Sequence, residues 1–462
     1  MEIKVLGAAK EVTGSCYSLA TEESQILIDC GMFQGDKNLE KLNYAKFEFN
    51  PRKYNALVLT HAHLDHCGRI PLLVKNGFRG RIYATDATKA LAQLIMADSA
   101  NIAREDTENE NKRRAEQHLP PRKPIYTLTD VNDAMKLFSR VKYKEEVKIS
   151  KNITATFYDA GHILGSSCIQ LSVTENKKVK TVVFLGDLGQ EHSILVKNYD
   201  PIQKADYVFM ESTYGDRLHD PRQKREENLA RVINETYKRG GKVLIPSFAI
   251  ERTQELLFFI DNFMESGKIP RMPVFLDSPM AIRSTDIFRK YLKYFNVDVQ
   301  ERMRTDNDVF GFEELTLTRS RQESKQINGV QEPCIIIAGS GMCTAGRIKH
   351  HIVNNIEDEK NTILFVGFQV EGTLGNWIKK GEKNIHLLGK EVVVKSKVES
   401  IEGFSAHADR VGLLKWLKNF APKPKKVFII HGDLDQQLAL SKTLAKEKYE
   451  NYIPSLNESF KL

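Results

Sequence analysis

The sequence predicts an α/β protein, and two features of the 462-residue chain indicate this class. Short apolar runs rich in β-branched residues recur along the chain, and segments with helical spacing of apolar residues lie between them. Continuous apolar runs of this kind are typical of strands that are buried on both faces, as in α/β folds. At this length we expect one or two hydrophobic cores.

Five of the apolar runs lead to a residue that can bind a metal ion or transfer a proton. The runs and these residues are ALVLT (56–60) with His61, TATFYDA (154–160) with His162, TVVFLG (181–186) with Asp187, DYVFM (206–210) with Glu211, and KVFII (426–430) with His431. Ligands of α/β folds collect at strand ends, where loops carry the chemistry. The pattern therefore indicates one site assembled from distant parts of the chain.

Helices are predicted between these strands. The segment 86–103 has apolar residues at helical spacing, and the charged stretch 104–124 that follows predicts an exposed, mobile excursion. A second helix is predicted over 127–141, with Thr127 or Thr129 as its cap. The segment 435–449 predicts a last helix after the His431 strand.

Composition indicates a soluble cytoplasmic protein with no membrane partner. Hydrophobic residues make up 41% and charged residues 28% of the chain, which is ordinary for a globular protein. No apolar run approaches the ~20 residues that span a bilayer, and the first residues lack the apolar core of a signal peptide. The six cysteines show no CxxC spacing and predict buried thiols in a reducing compartment. The net charge of +8 favours polyanionic partners only weakly.

The stretch THAHLDHCG (60–68) predicts a metal site. His61 and His63 lie two residues apart in a loop, so both imidazoles can face one point, and Asp65 and His66 can serve a second point nearby. Zinc takes nitrogen and carboxylate ligands at about 2.0–2.2 Å, and catalytic sites leave one position open. Three histidines and an aspartate within six positions after a buried strand are hard to explain as an ordinary polar loop.

This histidine motif resembles the signature of the metallo-β-lactamase fold, and three further landmarks stand in the expected order. They are Asp29 in ILIDCG, His162 in DAGHILGSS and Asp187 in FLGDLG. The resemblance implies an αββα sandwich that binds two Zn²⁺ ions per chain. The implied ligands of the first zinc are His61, His63 and His162, and those of the second are Asp65 and His66, with Asp187 bridging the two. Asp29 would accept a histidine N–H and fix the tautomer of that ring.

The long stretch after Asp187 resembles the β-CASP insertion of nucleic-acid-processing members of the superfamily. The motifs that carry this resemblance are MESTYGDR (210–217), LIPSFAIERTQELL (244–257), FLDSPMA (275–281), IIIAGSGMCTAGR (335–347), FVGFQVEGTLG (365–375), EGFSAHADR (402–410) and VFIIHGD (427–433). They imply a metallo-β-lactamase core made of residues 1–205 and 396–462, with an α/β β-CASP domain at 206–395.

The family motifs also imply roles for residues of the reaction. Glu211 corresponds to motif A, His407 to motif B and His431 to motif C. His431 would complete the second zinc site. His407, oriented by Glu211, would be the general acid that protonates the leaving oxygen. Asp65 is counted with these catalytic residues as well as with the zinc ligands.

Histidine at motif C is typical of RNA-directed β-CASP proteins, whereas DNA-directed relatives carry valine. Within the RNA-directed group, the chain resembles the nuclease subunit of the cleavage-and-polyadenylation machinery and its compact prokaryotic relatives. It is expected to lack the KH-type modules that precede the core of archaeal members and the appended C-terminal domain of RNase J. The resemblance thus implies a two-metal ribonuclease acting on single-stranded RNA that threads a cleft between the two domains.

Five residues are candidates for RNA contacts. They are Ser340, Gly341 and Arg347 in the glycine-rich stretch, Arg252, and Ser405. The glycines allow backbone amides to approach a phosphate, although a tight strand-to-helix turn explains the glycines alone equally well.

Two alternatives stay open at this stage: a zinc hydrolase of a small-molecule ester or thioester, and a non-catalytic RNA-binding subunit. The sequence does not separate endonuclease from 5′-exonuclease action or identify the RNA, and it leaves a homodimer and the native metal open.

Overall fold

The structure, a computed structural model, describes residues 1–35, 37–191, 193–305, 308–367, 369–401 and 404–462. Two of the family motifs include residues outside these ranges, namely Phe368 and the pair Glu402 and Gly403. The chain forms two compact units, one made of residues 1–217 and 407–462 and the other of residues 218–406. Strands and helices alternate along both units, so the α/β class is confirmed. The domain limits at residues 205 and 395 stay a prediction.

A seven-stranded sheet forms one layer of the first unit. Its strands in spatial order are β22 (Ser459–Lys461), β1 (Glu2–Val5), β2 (Tyr17–Ala20), β3 (Gln25–Ile28), β4 (Ala56–Val58), β5 (Arg81–Thr85) and β6 (Phe138–Val141). The strands β22, β1, β2 and β3 pair antiparallel, and β3 to β6 pair parallel.

A second seven-stranded sheet forms the other layer of this unit. Its strands in spatial order are β21 (Asn451–Tyr452), β20 (Lys426–Ile429), β11 (Tyr207–Met210), β10 (Lys178–Phe184), β9 (Ser167–Glu175), β8 (Ile153–Asp159) and β7 (Glu146–Lys148). The neighbours β10, β11 and β20 run parallel. Their carboxyl ends therefore lie at one edge of the sheet, which is where the predicted site residues follow them.

Stacked phenylalanines fill the space between the two sheets. Phe184 of β10, Phe209 of β11 and Phe428 of β20 stack in a row, with ring centroids 4.6 and 4.5 Å apart. They are buried together with Ile26 and Val58 of the first sheet. Burying one such side chain is worth about 1.5–3 kcal/mol, so this row both stabilises the sandwich and holds three parallel strands in register.

Helices surround the sandwich in the first unit. They are α1 (Lys37–Lys41), α2 (Leu64–Cys67), α3 (Ile70–Lys75), α4 (Asp86–Glu116), α5 (Leu128–Met135), α13 (Arg410–Leu417) and α14 (Leu434–Lys446). Two helix limits differ from the prediction. The helix starting at Asp86 continues to Glu116 through most of the stretch expected to be a mobile excursion, and residues 138–141 form β6 instead of continuing the helix capped by Thr127.

The second unit contains a six-stranded sheet in which all pairings are parallel. Its strands in spatial order are β14 (Leu315–Leu317), β13 (Val274–Asp277), β15 (Ile335–Ala338), β12 (Val243–Pro246), β16 (Thr362–Phe365) and β19 (Lys397–Ser400). A separate antiparallel hairpin consists of β17 (Asn384–Leu387) and β18 (Lys390–Val393).

The helices of the second unit connect these strands. They are α6 (Arg222–Lys238), α7 (Arg252–Glu265), α8 (Pro279–Lys290), α9 (Val297–Thr305), α10 (Arg321–Gln326), α11 (Ile348–Asn355) and α12 (Leu374–Lys379). Across the described ranges of both units, none of the helices combines the length and apolarity that a membrane span requires.

Candidate metal centre

The predicted ligands come together at the strand ends of the first unit. His61 follows β4, His63 caps the short helix α2, and His162 follows β8. Asp187 and His431 follow the parallel strands β10 and β20. Two residues next to these strand ends, Asp29 after β3 and His431, have left-handed backbone angles of φ 57° and 48°. Such angles are rare outside glycine and cluster at functional sites, where the surrounding structure holds the side chain in place.

The first donor set consists of His61, His63, His162 and Asp187. The Nδ1 atom of His63 lies 3.1 Å from Nε2 of His61 and 3.2 Å from Nε2 of His162. Oδ2 of Asp187 lies 3.4 Å from Nε2 of His61 and 3.5 Å from Nε2 of His162. Three ring nitrogens and one carboxylate oxygen thus converge on one point.

The second donor set consists of Asp65, His66 and His431, and it also faces Asp187. Nε2 of His66 lies 3.2 Å from Nε2 of His431, and that atom lies 3.3 Å from Oδ2 of Asp65. Oδ1 of Asp187 lies 3.4 Å from Nε2 of His66. Asp187 therefore turns one carboxylate oxygen toward each donor set.

The separations within the first set fit a metal ion of the zinc type. A tetrahedral zinc with bonds of about 2.0–2.2 Å holds its ligand atoms roughly 3.3–3.6 Å apart, close to the observed 3.1–3.5 Å of the first set. Oδ1 of Asp187 is buried and accepts no hydrogen bond from the described residues, although a buried carboxylate oxygen normally has a partner. A cation between the facing nitrogens and this oxygen would supply the missing partner.

In the first donor set, the surroundings set the protonation states that metal binding needs. Burial lowers the pKa of His61 well below its ordinary value and that of His63 to about 4. Burial alone raises the pKa of Asp187, but the surrounding histidines, His431 first, lower it further than burial raises it. At neutral pH, His61 and His63 are thus neutral and Asp187 is ionised, which are the forms that bind metal ions.

Asp29 lies behind the donor sets and contacts His66 and Thr60. Its Oδ2 lies 2.8 Å from Nδ1 of His66, and its two oxygens accept the backbone N–H and the hydroxyl of Thr60, both at 2.8 Å. The hydroxyl oxygen of Thr60 lies 3.1 Å from Nδ1 of His61. Each contact occupies Nδ1 and leaves Nε2 of the ring turned toward the donor set.

Two threonines whose hydroxyls contact ligand histidines were not identified from the sequence. Thr60 directly precedes His61 in the motif, so its position offered a signal. Thr213 lies 3.2 Å from Nδ1 of His431 and occupies for this ring the place that Thr60 occupies for His61. No pattern in the sequence pairs it with His431, because the two residues are 218 positions apart.

His407 and Glu211 form a pair beside the donor sets. Nδ1 of His407 lies 3.0 and 3.2 Å from the two oxygens of the fully buried Glu211, which also accepts the backbone N–H of Leu188 at 2.7 Å. Nε2 of His407 lies 3.9 Å from Oδ2 of Asp187. Burial lowers the pKa of His407, but the carboxylates of Glu211 and Asp187 outweigh burial and raise it to about 9. The two carboxylates therefore favour the protonated ring, and its Nε2 faces Asp187.

The candidate RNA contacts all lie in the second unit, whereas the donor sets lie in the first. Arg252 is buried, forms an ion pair with Glu255 and lies 5.4 Å over the ring of Phe404. Ser340 is half-buried, Gly341 is buried and Ser405 is half-buried. The role of these residues in RNA binding stays a prediction.

Arg347, the remaining candidate, belongs to a buried polar cluster around Asp277. It donates to Oδ1 of Asp277 at 2.6 Å and to the carbonyl oxygens of Thr318 and Arg319 at 3.1 Å. His351 approaches the other oxygen of Asp277 at 2.6 Å. Burial alone raises the pKa of Asp277, but its hydrogen bonds, that from His351 first, lower it well below its ordinary value.

We expect Asp277→Asn to destabilise the second unit by about 3–5 kcal/mol at neutral pH, because it leaves Arg347 without its buried partner. The folded-state pKa of Asp277 lies below the unfolded value. The contribution is therefore complete above the unfolded pKa and is lost as the pH falls toward the folded pKa. Urea denaturation at neutral and acidic pH measures this difference in the free energy of unfolding.

The control is Asp220→Asn, which removes a surface ion pair with Lys224 and is expected to cost about 0–1 kcal/mol. Equal effects of the two variants would contradict the prediction.

Comparison with known proteins identifies the family. Three family models match: a metallo-beta-lactamase superfamily domain at residues 18–201, a Beta-Casp domain at 253–378, and a Zn-dependent metallo-hydrolase RNA specificity domain at 391–454. Ribonuclease TTHA0252 of Thermus thermophilus is 35% identical over 445 residues, which cover 96% of each chain. The chain belongs to the β-CASP family of the metallo-β-lactamase superfamily.

Other β-CASP relatives align over nearly the whole chain. Transcription termination factor FttA of Methanocaldococcus jannaschii is 33% identical to this chain. The alignment covers 98% of this chain and 70% of the FttA chain. The RNase J-like protein of the same organism is also 33% identical, and its alignment covers 98% of this chain and 97% of the RNase J-like chain. A crystal structure of a protein of unknown function from Enterococcus faecalis shares the fold, with a TM-score of 0.55 and 13% identity over 100% of this chain and 99% of that chain. The predicted family and the predicted enzyme class, a metal-dependent hydrolase, are confirmed.

Proposed function

We propose that this β-CASP protein is a zinc-dependent ribonuclease that hydrolyses phosphodiester bonds of single-stranded RNA with two Zn²⁺ ions per chain, in RNA processing or degradation. The observation that carries the proposal is the position of Asp187, whose two carboxylate oxygens each face a separate set of nitrogen and oxygen donors. A shared carboxylate between two such sets is the arrangement that two-metal hydrolases use.

The two donor sets divide the metal ions between them. His61, His63 and His162 would hold the first zinc, Asp65, His66 and His431 the second, and Asp187 both. When bound, the zinc pair supplies positive charge that polarises the scissile phosphate and lowers the pKa of water. Asp29 and Thr60 orient the imidazoles of His66 and His61 by occupying their Nδ1 atoms.

His407 would act as the general acid. Glu211 accepts a hydrogen bond from the Nδ1–H of His407 and stabilises the positive charge of the ring, so the proton on Nε2 is directed at the centre. A group held in this way can protonate the ribose oxygen that departs when the phosphodiester bond breaks. The Leu188 N–H fixes Glu211 in turn, so the pair is pre-positioned before RNA binds.

RNA as the substrate is supported by two observations of different kinds. The chain matches a model described as an RNA specificity domain, and a relative that aligns over nearly its full length is named a ribonuclease. His431 stands at the position where the RNA-directed members of the family carry histidine. We also propose a cytoplasmic location, since all six cysteines are free and buried, as in a reducing compartment. A homodimer stays a prediction.

Digestion of a circular single-stranded RNA and a matched linear RNA with a 5′ label tests the function. We expect zinc-dependent loss of RNA and no cleavage of DNA with the same sequence. Cleavage of the circle indicates an endonuclease, and mononucleotides released from the 5′ label indicate a 5′-exonuclease. Intact RNA together with hydrolysis of an ester or thioester substrate would contradict the proposal and support a small-molecule hydrolase. RNA binding without any hydrolysis would support a non-catalytic subunit.

We expect His431→Val to weaken the second zinc selectively and to reduce RNA cleavage steeply. The variant removes the nitrogen that faces His66 and Asp65, while the donor set around His61 keeps all of its atoms. Zinc stoichiometry and cleavage measured across a zinc titration check this, and excess zinc is expected to restore part of the rate by mass action. Unchanged zinc content with unchanged RNA cleavage would show that His431 is only a strand-end residue.

A further inference from the structure

An exposed aromatic side chain lies at the carboxyl edge of the parallel sheet in the second unit. Phe248 follows β12 and is 41% exposed, whereas most phenylalanines of the unit are buried. The strands β15 and β16 flank β12 and lead into loops with Gly341 and Gly367. Ligands of open parallel sheets bind outside the carboxyl ends of the strands, so this edge is where a ligand contact is expected.

Two glycines let the flanking loops close on one edge of the Phe248 ring. A β-carbon at Gly341 would lie 2.7 Å from Cδ2 and Cε2 of the ring, and one at Gly367 would lie 3.2 Å from Cε2. The first separation is too short for any residue with a side chain, and the second is tight. The backbone of these two loops therefore packs closely against one edge of the ring.

Hydrogen bonds hold this arrangement in place. The side-chain amide of the buried Gln369 donates to the carbonyl oxygens of Gly341 at 2.9 Å and Gly367 at 3.3 Å, and so ties the two loops together. The carbonyl oxygen of Phe248 accepts the hydroxyl of Thr253 at 2.7 Å and that of Ser247 at 3.2 Å. An aromatic ring fixed in this way loses little conformational freedom when a planar ligand stacks on it.

The surroundings of Phe248 favour a planar ligand over an apolar protein surface. Within the described parts of the loops at 247–251, 339–347 and 366–373, Phe248 is the one large apolar side chain that is exposed. A protein interface needs a broader apolar patch than this. The neighbouring loop carries the hydroxyls of Ser340 and Thr344. An exposed aromatic platform beside glycine backbone and hydroxyl groups is the chemistry that binds single-stranded nucleic acid through its bases.

We propose that Phe248 is a stacking platform for one nucleobase of the RNA that this enzyme binds. The inference rests on the proposed ribonuclease function and adds a contact to the second unit that recognises bases without regard to their sequence. Every base has a π-face, so the platform contributes affinity for any RNA.

RNA affinity measured by fluorescence anisotropy tests this platform. We use zinc-loaded protein carrying His407→Ala, with RNA integrity verified on a gel. Removing one stacking contact is expected to weaken binding about 5- to 100-fold. Phe248→Ala and Phe248→Leu should both show this loss, because leucine keeps an apolar side chain but has no π-face. Phe248→Trp should bind at least as tightly as phenylalanine. An RNA of the same length with abasic sugars should bind with an affinity that does not depend on residue 248.

The matched control is Trp377→Ala, which removes another exposed aromatic side chain of the same unit, 47% exposed. It is expected to leave RNA affinity unchanged, and thermal melting verifies that each variant is folded. Unchanged affinity of Phe248→Ala, an equal loss on abasic RNA, or an equal loss in Trp377→Ala would overturn the platform while leaving the ribonuclease proposal intact. Absence of RNA binding with Phe248 in place would overturn both proposals.

Discussion

Asp187→Ala is expected to lose most of the metal from both donor sets and to reduce RNA cleavage to the level of metal-free protein. The reason is geometric, because Oδ2 of Asp187 faces His61 and His162 while Oδ1 faces His66. Removing one carboxylate therefore takes a ligand from each site at once, and it also leaves the buried histidines without their anionic partner. Elemental analysis of the purified variant and an RNA cleavage assay measure the two effects.

Asp206→Ala is the matched control for this variant. Asp206 also lies in the first unit, where it forms an ion pair with Lys425 at 2.8 Å and accepts the backbone N–H of Thr181. It does not belong to either donor set, so its loss should leave metal content and cleavage near the unmodified values. Retention of two metal ions by Asp187→Ala would show that this carboxylate does not bridge the sets.

His407→Ala is expected to keep its metal and to bind RNA, while the rate of cleavage falls by about 10²- to 10⁴-fold, the usual contribution of a general acid. The ring contacts Glu211 through Nδ1, and its Nε2 lies 3.9 Å from Asp187, farther than the 3.4–3.5 Å between Asp187 and the ring nitrogens of His61, His162 and His66. Cleavage rates at saturating RNA and zinc content of the same sample test this directly.

Glu211→Gln offers a second view of the same pair. Glutamine keeps the size of the side chain but removes the charge that stabilises protonated His407. We expect a reduced rate with unchanged metal content. If either variant loses zinc together with activity, the pair belongs to the metal-binding groups and the assignment of His407 as an acid is wrong.

The strands that position the candidate site could be predicted from the sequence. Runs such as VVF in β10 and VFI in β20 are apolar on both faces because β10, β11 and β20 lie between the inner core and a layer of helices. This burial makes the runs continuous, and continuous runs are easy to recognise. Parallel pairing then brings the residues after them, Asp187, Glu211 and His431, to one edge of the sheet.

Helix limits were harder to predict for a physical reason. The second half of α4 is polar on all sides, so no apolar stripe marks it as a helix, although an ion pair between Arg104 and Glu108 at 2.9 Å supports it locally. The strand β6 follows α5 without a turn signal between them. A short amphipathic run fits both the helical and the strand period of apolar residues. Pairing with β5 decides in favour of the strand.

The supporting contacts depend on distant partners that no local pattern reveals. Arg347 pairs with Asp277, which lies 70 positions away, and Thr213 contacts His431 across 218 positions. Phe248 matched a family motif, but its exposure and its contacts with Gly341 and Gly367 emerge only when three strands lie side by side. Tertiary pairing creates these features, so sequence spacing alone could not predict them.

Titration of metal-free protein with zinc, with bound zinc and cleavage of single-stranded RNA recorded at each step, tests the two-metal account most directly. We expect two zinc ions to bind per chain and cleavage to rise mainly with the second. The reason is that the two donor sets share Asp187, and neither set by itself holds the pair of ions that the proposed mechanism requires. Full cleavage of RNA by protein that contains no transition metal, or full activity at one zinc ion per chain, would contradict it.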